Sequence, residues 1–238
     1  MLRKVIRFAD AAVSRAVALV CLLLFLICLY AMIDAAHVYM TANDTSVLKY
    51  KPKLGEAKVE MPDLTEDYVA WLTVEDTRID YPLMQGENNS TYLNMDPYGR
   101  FSLSGSIFLD SRNSGDFSDP FSLVYGHHME HGAMFGCLDD FYDRDYFEEH
   151  RTGLLMTEAG EDYSIFFFAC CKTMGNNWLI FDPVGDKREE ILSFLQENAA
   201  IYDPEGIDPS CSILALSTCQ GGDSLERLIL FGVLQNIP

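Results

Sequence analysis

Basic residues are scarce in this chain: 17 Lys and Arg stand against 36 Asp and Glu in 238 residues, a formal net charge of −19 at pH 7. That imbalance excludes a nucleic-acid-binding surface, which needs clustered cations to meet a phosphate backbone. Paired cysteines at CxxC spacing are absent, which removes a cysteine zinc site of that kind. A G-x-S-x-G elbow is also missing, since Ser104-Gly105-Ser106 does not match it, so serine-hydrolase chemistry is disfavoured. Neither an internal repeat nor a low-complexity tract interrupts the sequence. What remains is ordinary globular material, 49% hydrophobic and 22% charged.

The few cations are unevenly placed. Residues 1–33 carry Arg3, Lys4, Arg7 and Arg15 against Asp10, a net of +3, which leaves −22 for everything that follows. Ala16 to Ile33 is an uncharged run, AVALVCLLLFLICLYAMI. As a helix it covers roughly 27 Å at 1.5 Å per residue, close to the ~30 Å hydrocarbon core of a bilayer. With the cations before the run and Asp34 directly after it, the positive-inside rule keeps residues 1–15 cytoplasmic. It makes 16–33 a single-pass signal anchor in the cell membrane and exports the rest. A cleaved signal peptide is the alternative, but it wants a shorter apolar region and a better cleavage site than Ala35-Ala36.

Residues 34–62 are polar without a sustained apolar period and read as a stalk. Residues 63–238 suffice for one domain with a sizeable core. Seven cysteines follow the same division: Cys21 and Cys28 fall in the apolar span, while Cys137, Cys170, Cys171, Cys211 and Cys219 are exported. An odd number leaves at least one exported thiol unpaired within the monomer. Adjacent Cys170 and Cys171 would face opposite sides of a strand and make poor partners.

Strands predominate in the exported part. Short β-branched and aromatic runs between turn residues predict strands at 69–74, 79–85, 106–109, 123–126, 153–157, 163–171, 212–218 and 228–234. Asp110 to Pro120 has the Asp, Asn, Ser, Gly and Pro density of a surface loop. A helix is predicted over Asp186–Ala200 from the stripe Ile191, Leu192 and Leu195, with shorter ones at Leu64–Trp71 and Met134–Tyr142. Eight strands with few helices fit a closed barrel or a sandwich, and periodicity does not choose between them.

Two segments could carry chemistry. In the strand over 212–218, Ile213, Ala215, Ser217 and Cys219 share one face, so small residues form a shallow floor leading to Cys219. The turn-forming Gln220-Gly221-Gly222-Asp223 follows, and an antiparallel return would bring Arg227 back beside Cys219. A neighbouring guanidinium lowers a thiol pKa and can donate to a developing oxyanion. A buried inert cysteine beside a surface arginine is the plainer alternative. The second segment, Gly126-His127-His128-Met129-Glu130-His131, holds three of the five histidines. It offers an imidazole partner for Cys219, a weak metal site without a closing ligand, or merely solvated histidines.

Taken together, the N-terminal anchor, "YGHHM…G.MF", "LSTC" at a strand end and an arginine eight residues later resemble the class B sortases, Gram-positive cell-surface cysteine transpeptidases. "VAWLTVEDTRIDYPLMQGENNSTYLN", "SGSIFLDSRN", "LVYGHHMEHGAMFGCLDDF" and "ILALSTCQ…ERLILFGVL" extend the resemblance over nearly the whole exported domain. It implies an eight-stranded closed β-barrel with an N-terminal helix near Leu64–Trp71 and an inserted helix near Asp186–Ala200 before the cysteine strand. It also implies Cys219 as nucleophile, His127 as general acid and base, and Arg227 as oxyanion or backbone anchor, with no cofactor and no metal. Asn89, Leu93, Trp178, Leu179 and Ser217 would contact the substrate. The implied reaction is cleavage of an Asn-Pro-x-Thr-type sorting motif after Thr through a thioester. Surface proteins bearing the motif would then pass to an amine of peptidoglycan or its lipid-linked precursor. A pilus-assembling sortase using a pilin lysine, or a membrane-tethered adhesin of the same fold, are the alternatives. Ala215 stands where the family's motif has its first Thr, and Gln220 where an acidic residue is often found; both bear on peptide preference.

Overall fold

The computed structural model describes residues 2–237 except 56–60, 62, 209 and 220–224. It forms two compact units, residues 1–41 and 42–238. The first is a single helix, α1 (Leu2–Ala42), whose most apolar stretch has a mean hydropathy of 3.0. Val17, Leu22, Phe25 and Ile27 are exposed on different sides of it, so its apolar surface has no preferred face.

The second unit is a barrel. Its strands are β1 (Tyr68–Val74), β2 (Asp80–Met84), β3 (Ile107–Leu109), β4 (Phe121–Gly126), β5 (Thr152–Thr157) and β6 (Asp162–Met174), then β7 (Ile201–Tyr202), β8 (Ser212–Cys219) and β9 (Glu226–Asn236). Eight of them run in the order β5-β1-β2-β3-β4-β8-β9-β6, and β6 pairs back to β5 to close the ring. The two-residue β7 attaches outside that ring, to Ala169 and Cys170 of β6. The β2–β3 and β4–β8 pairs are parallel and the other pairs antiparallel. Closure removes the open edges that an eight-stranded sheet would otherwise expose.

Besides smaller clusters around Trp71 and around Tyr92, strand alternation sorts most of the side chains into two large apolar clusters. Leu214 and Leu216 of β8 pack with Leu72, Ile107, Val124 and Leu230 in one; Ile213 and Ala215 pack with Leu123, Ile229 and Phe231 in the other. Helix α2 (Arg144–Glu149) follows a 3-10 stretch at Gly136–Tyr142, and α3 (Trp178–Phe181) and α4 (Arg188–Asn198) follow β6. Ile191 and Leu195 of α4 are fully buried over the second cluster. Cys170 lies in the first cluster and Cys171 in the second, on opposite faces of β6 as their adjacency requires.

All eight predicted strands are present, and the helix predicted before the cysteine strand is α4. The short helix expected at Leu64–Trp71 does not form. Tyr68 to Trp71 begin β1 instead, where Trp71 is fully buried and its Nε1 donates to Asp80 Oδ1 at 2.7 Å. Cross-strand pairing and an aromatic residue suited to a pleated surface override a weak helical pattern here. A helical turn does precede the barrel, but at Ser46–Tyr50, with Val47 and Tyr50 buried against Trp71 and Met156. Nor is Asp110–Pro120 an ordinary surface loop, for Asp110, Asn113 and Phe117 within it are buried.

Candidate active site

The β8–β9 hairpin sets the site. Its register places Cys219 directly opposite Arg227, so the arginine opening the return strand sits beside the last residue of the outgoing one. On its other side β8 runs parallel to β4, with Ser217 against Tyr125 and Thr218 against Gly126. His127 therefore leaves the end of β4 next to the end of β8. A side chain at Gly126 would put its Cβ 2.6 Å from both Ile107 Cδ1 and Phe135 Cδ2, so only glycine fits immediately before that histidine.

A cleft of about 260 Å³ opens at this junction. Its walls include His127, Arg227, Ser217, Asn89 and Leu93, which the sequence singles out, together with Tyr125, Phe108, Thr218, Gly175 and Phe181, which it does not. Trp178 and Leu179 do not line the cleft: Trp178 is 77% exposed, and Leu179 packs against the second core cluster. Phe181, at the other end of the same short helix, reaches the wall in their place. The side chain of Cys219 lies outside the described residues, as does Gln220.

His127 Nε2 lies 2.8 Å from the carbonyl oxygen of Leu93. A carbonyl only accepts, so Nε2 carries the proton in this bond and Nδ1 is left for proton exchange. The guanidinium of Arg227 passes over Gly175, where a Cβ would come within 3.4 Å of its Cζ. Asn89 is less available than its position suggests. Its Oδ1 accepts from the Ser111 amide at 2.7 Å and its Nδ2 donates to Asp110 Oδ2 at 2.9 Å. Ser217 is the reverse case, because its buried Oγ has no hydrogen-bond partner among the described residues.

His128 belongs to a different place. Its Nε2 pairs with Asp139 Oδ2 at 2.7 Å, and it lines a larger hollow of about 790 Å³ with Arg78, His131 and Cys137. Burial pushes the Cys137 thiol up to about 12, so this hollow holds no ready nucleophile. Burial likewise raises Cys170 to about 12 and Cys171 to about 11, and it raises Cys211. These four thiols are free. Among the described residues no cluster of three or more metal-ligating side chains occurs.

The register thus sets a strand-end cysteine opposite an arginine in a closed eight-stranded barrel. No family model matches the chain, but individual relatives do. Sortase B of Listeria monocytogenes is 32% identical over 206 residues, covering 84% of this chain and 82% of the relative. A class B sortase of Streptococcus pyogenes involved in pilus biogenesis superposes with a TM-score of 0.66 and 37% identity, over 72% of this chain and 94% of that one. The Staphylococcus aureus sortase B in its substrate complex gives 0.66 at 25% identity, over 74% of this chain and 82% of that one. The chain belongs to the class B sortase family. It is accordingly a cysteine transpeptidase acting on sorting-motif proteins, with α1 as its membrane anchor and the barrel as its extracellular part.

Proposed function

We propose that the enzyme cleaves an Asn-Pro-x-Thr-type motif after Thr and transfers the surface protein to an amine of peptidoglycan or its lipid-linked precursor. The observation that carries this reading is the β8–β9 register, which sets Cys219 against Arg227 at the end of the cleft that His127 lines. In this reading the Cys219 thiolate attacks the Thr carbonyl, and the negative charge that develops on its oxygen is met by Arg227. The carbon–nitrogen bond breaks as the His127 imidazolium gives its Nδ1 proton to the leaving amine, and a thioester remains. The incoming amine attacks that thioester, loses its proton to His127 and releases the thiolate. Leu93 and Ser217 contact the bound peptide, Ser217 by offering its unpartnered hydroxyl to the peptide backbone. In this reading residues 1–15 are cytoplasmic and 16–33 span the membrane. The exported catalytic unit takes in the second half of the expected 34–62 stalk, where Val47 and Tyr50 pack against Trp71 and Met156.

A second reading, with a pilin lysine as acceptor, is favoured by the 37% identity to the Streptococcus pyogenes enzyme involved in pilus biogenesis. One experiment separates the two. The full-length protein in detergent is given motif peptides with either a peptidoglycan cross-bridge amine or a lysine-bearing pilin peptide, and products are read by mass spectrometry. Without an amine, an acyl adduct is expected on Cys219; an adduct on another cysteine, or none with any motif, overturns the reading. The added acceptor that yields a conjugate then assigns wall or pilin. Protease treatment of intact cells should remove residues 63–238, and full protection would overturn the topology.

A further inference from the structure

Asp110 follows β3 and is completely buried, yet it is a carboxylate holding five hydrogen bonds. Arg112 grips it with Nε at 2.8 Å and Nη2 at 2.7 Å, and the Arg112 amide donates to it at 3.0 Å. Asn89 Nδ2 and the Tyr125 hydroxyl complete the set at 2.9 and 3.0 Å. Burial works to raise the pKa of this carboxyl, but Arg112, Tyr125 and Asn89 outweigh it and hold it below the usual range. The same guanidinium faces outward as well, donating to the Phe181 carbonyl at 2.8 Å and to Asp182 Oδ1 at 3.2 Å. Lys187 fastens that end further, its Nζ 3.0 Å from both the carbonyl and Oδ2 of Asp182.

Three residues of the cleft wall, Asn89, Tyr125 and Phe181, thus meet one ion pair that does not itself line the cleft. They come from three separate elements: the turn after β2, the strand β4 and the helix α3. A fourth connection is indirect. Asn89 leads into the 3-10 turn Thr91–Leu93, whose last carbonyl accepts from His127. A bidentate arginine–carboxylate pair is planar and directional, so it fixes distances that a point charge would not.

We propose that Asp110 and Arg112 are positioning residues for peptide recognition, holding the Asn89–Leu93 wall and the α3 wall at a fixed separation and, through Leu93, setting the ring of His127. The inference rests on the transpeptidase reading above and adds residues that touch neither substrate nor nucleophile. The two ends of the pair then have separable effects. Loosening the Phe181–Asp182 end frees one wall and weakens peptide binding. Loosening the Asp110 end frees the Asn89 wall and the histidine with it, so turnover falls too.

The test uses the full-length protein in detergent, a pool of quenched Asn-Pro-x-Thr peptides varied at x, and iodoacetamide as a probe of Cys219. Asp182→Asn should raise KM about threefold with kcat little changed, the pattern of lost uniform binding. Arg112→Lys loses the fork at both ends and should raise KM about tenfold and lower kcat as well. Asp110→Asn should raise KM and also lower kcat at least about tenfold, as expected when a catalytic group is displaced by a fraction of an ångström. The alkylation rate of Cys219 should match wild type in all three, since the nucleophile is not held by this pair. If Asp110→Asn does not fold, the other two variants decide. Folded Arg112→Lys with wild-type KM overturns the inference, as does a loss of activity that only follows the folded fraction. A wild-type protein that forms no adduct with any peptide of the pool would remove the transpeptidase reading and this inference together.

Discussion

At the residue scale, two adjacent histidines have opposite fates. Gly126 ends β4, and successive side chains beyond it leave on opposite sides, so His127 enters the cleft while His128 pairs with Asp139 in another hollow. His127→Ala should therefore cost about 10²–10⁴-fold in kcat, as for loss of a general acid and base. His128→Ala should leave kcat within a few-fold of wild type; steady-state kinetics on a motif peptide measures both. Arg227→Lys should stay badly impaired, because an ammonium keeps the charge but loses the planar fork. Cys219→Ala should abolish turnover. Cys137, Cys170 and Cys171 cannot substitute, since burial holds Cys137 and Cys170 near 12 and Cys171 near 11. Iodoacetamide at pH 8 should consequently modify Cys219 well before these three, by peptide mass mapping. Asp110 adds a pH dependence of stability. Its folded pKa is lowered, so its contribution is complete above the unfolded value of about 3.9 and is lost as pH falls through the folded one. Thermal unfolding of Asp110→Asn, where the protein folds, should accordingly fall less between pH 5 and pH 3 than that of wild type.

At the scale of elements, the helices are held by different means. Helix α4 depends on packing: Ile191 and Leu195 are fully buried, and its N-cap Lys187 makes no side-chain capping bond. Leu195→Ala should cost about 2–5 kcal/mol in urea unfolding, from lost burial plus the cavity left behind. Helix α2 depends on its cap, since Asp143 accepts from the amides of Asp145 and Tyr146 at 3.0 and 3.1 Å. Asp143→Ala should cost about 1 kcal/mol by the same measurement. The strands were legible because their alternate side chains enter different apolar clusters, and β8 showed its small-residue face directly. Strands β4, β6, β8 and β9 feed the two large clusters, and β1, β2, β3 and β5 feed the first and a smaller one. Closure was not legible in the periodicity and came only with the family resemblance. It rests on the β5–β6 pairing between strands whose side-chain pattern would suit a sandwich equally well. The meeting of Cys219, Arg227 and His127 could be read in part, because the hairpin links two of them over a short turn. That β4 lies parallel to β8 joins residues far apart in sequence, and nothing local announces it. The roles of Asp110 and Arg112 are hidden in the sequence for a related reason. A run of Asp, Ser, Arg and Asn reads as solvated loop until a neighbouring strand and helix bury it.

At the scale of the whole molecule, charge separates the anchor from the enzyme. The first 33 residues carry +3 and the rest −22 at pH 7, so cations face the cytoplasmic side and the exported part is strongly acidic. A surface of that sign is repelled by an anionic wall polymer, and the repulsion acts before any motif reaches the cleft. The chemistry in the cleft depends instead on contacts of a few ångströms that added salt barely screens. Ionic strength should therefore distinguish encounter from catalysis. Raising salt from about 10 mM to 150 mM shortens the screening length from about 30 Å to 8 Å. Over that range, transfer to an acceptor held on an anionic polymer should rise. Cleavage of a short neutral motif peptide should stay flat, and divalent cations should act on the first reaction at lower concentration than NaCl. Rates on the polymer-held acceptor that ignore ionic strength would show that the acidic surface plays no part in docking. An equal rise with the neutral peptide would instead place the salt effect within the enzyme, independent of any repulsion between surfaces.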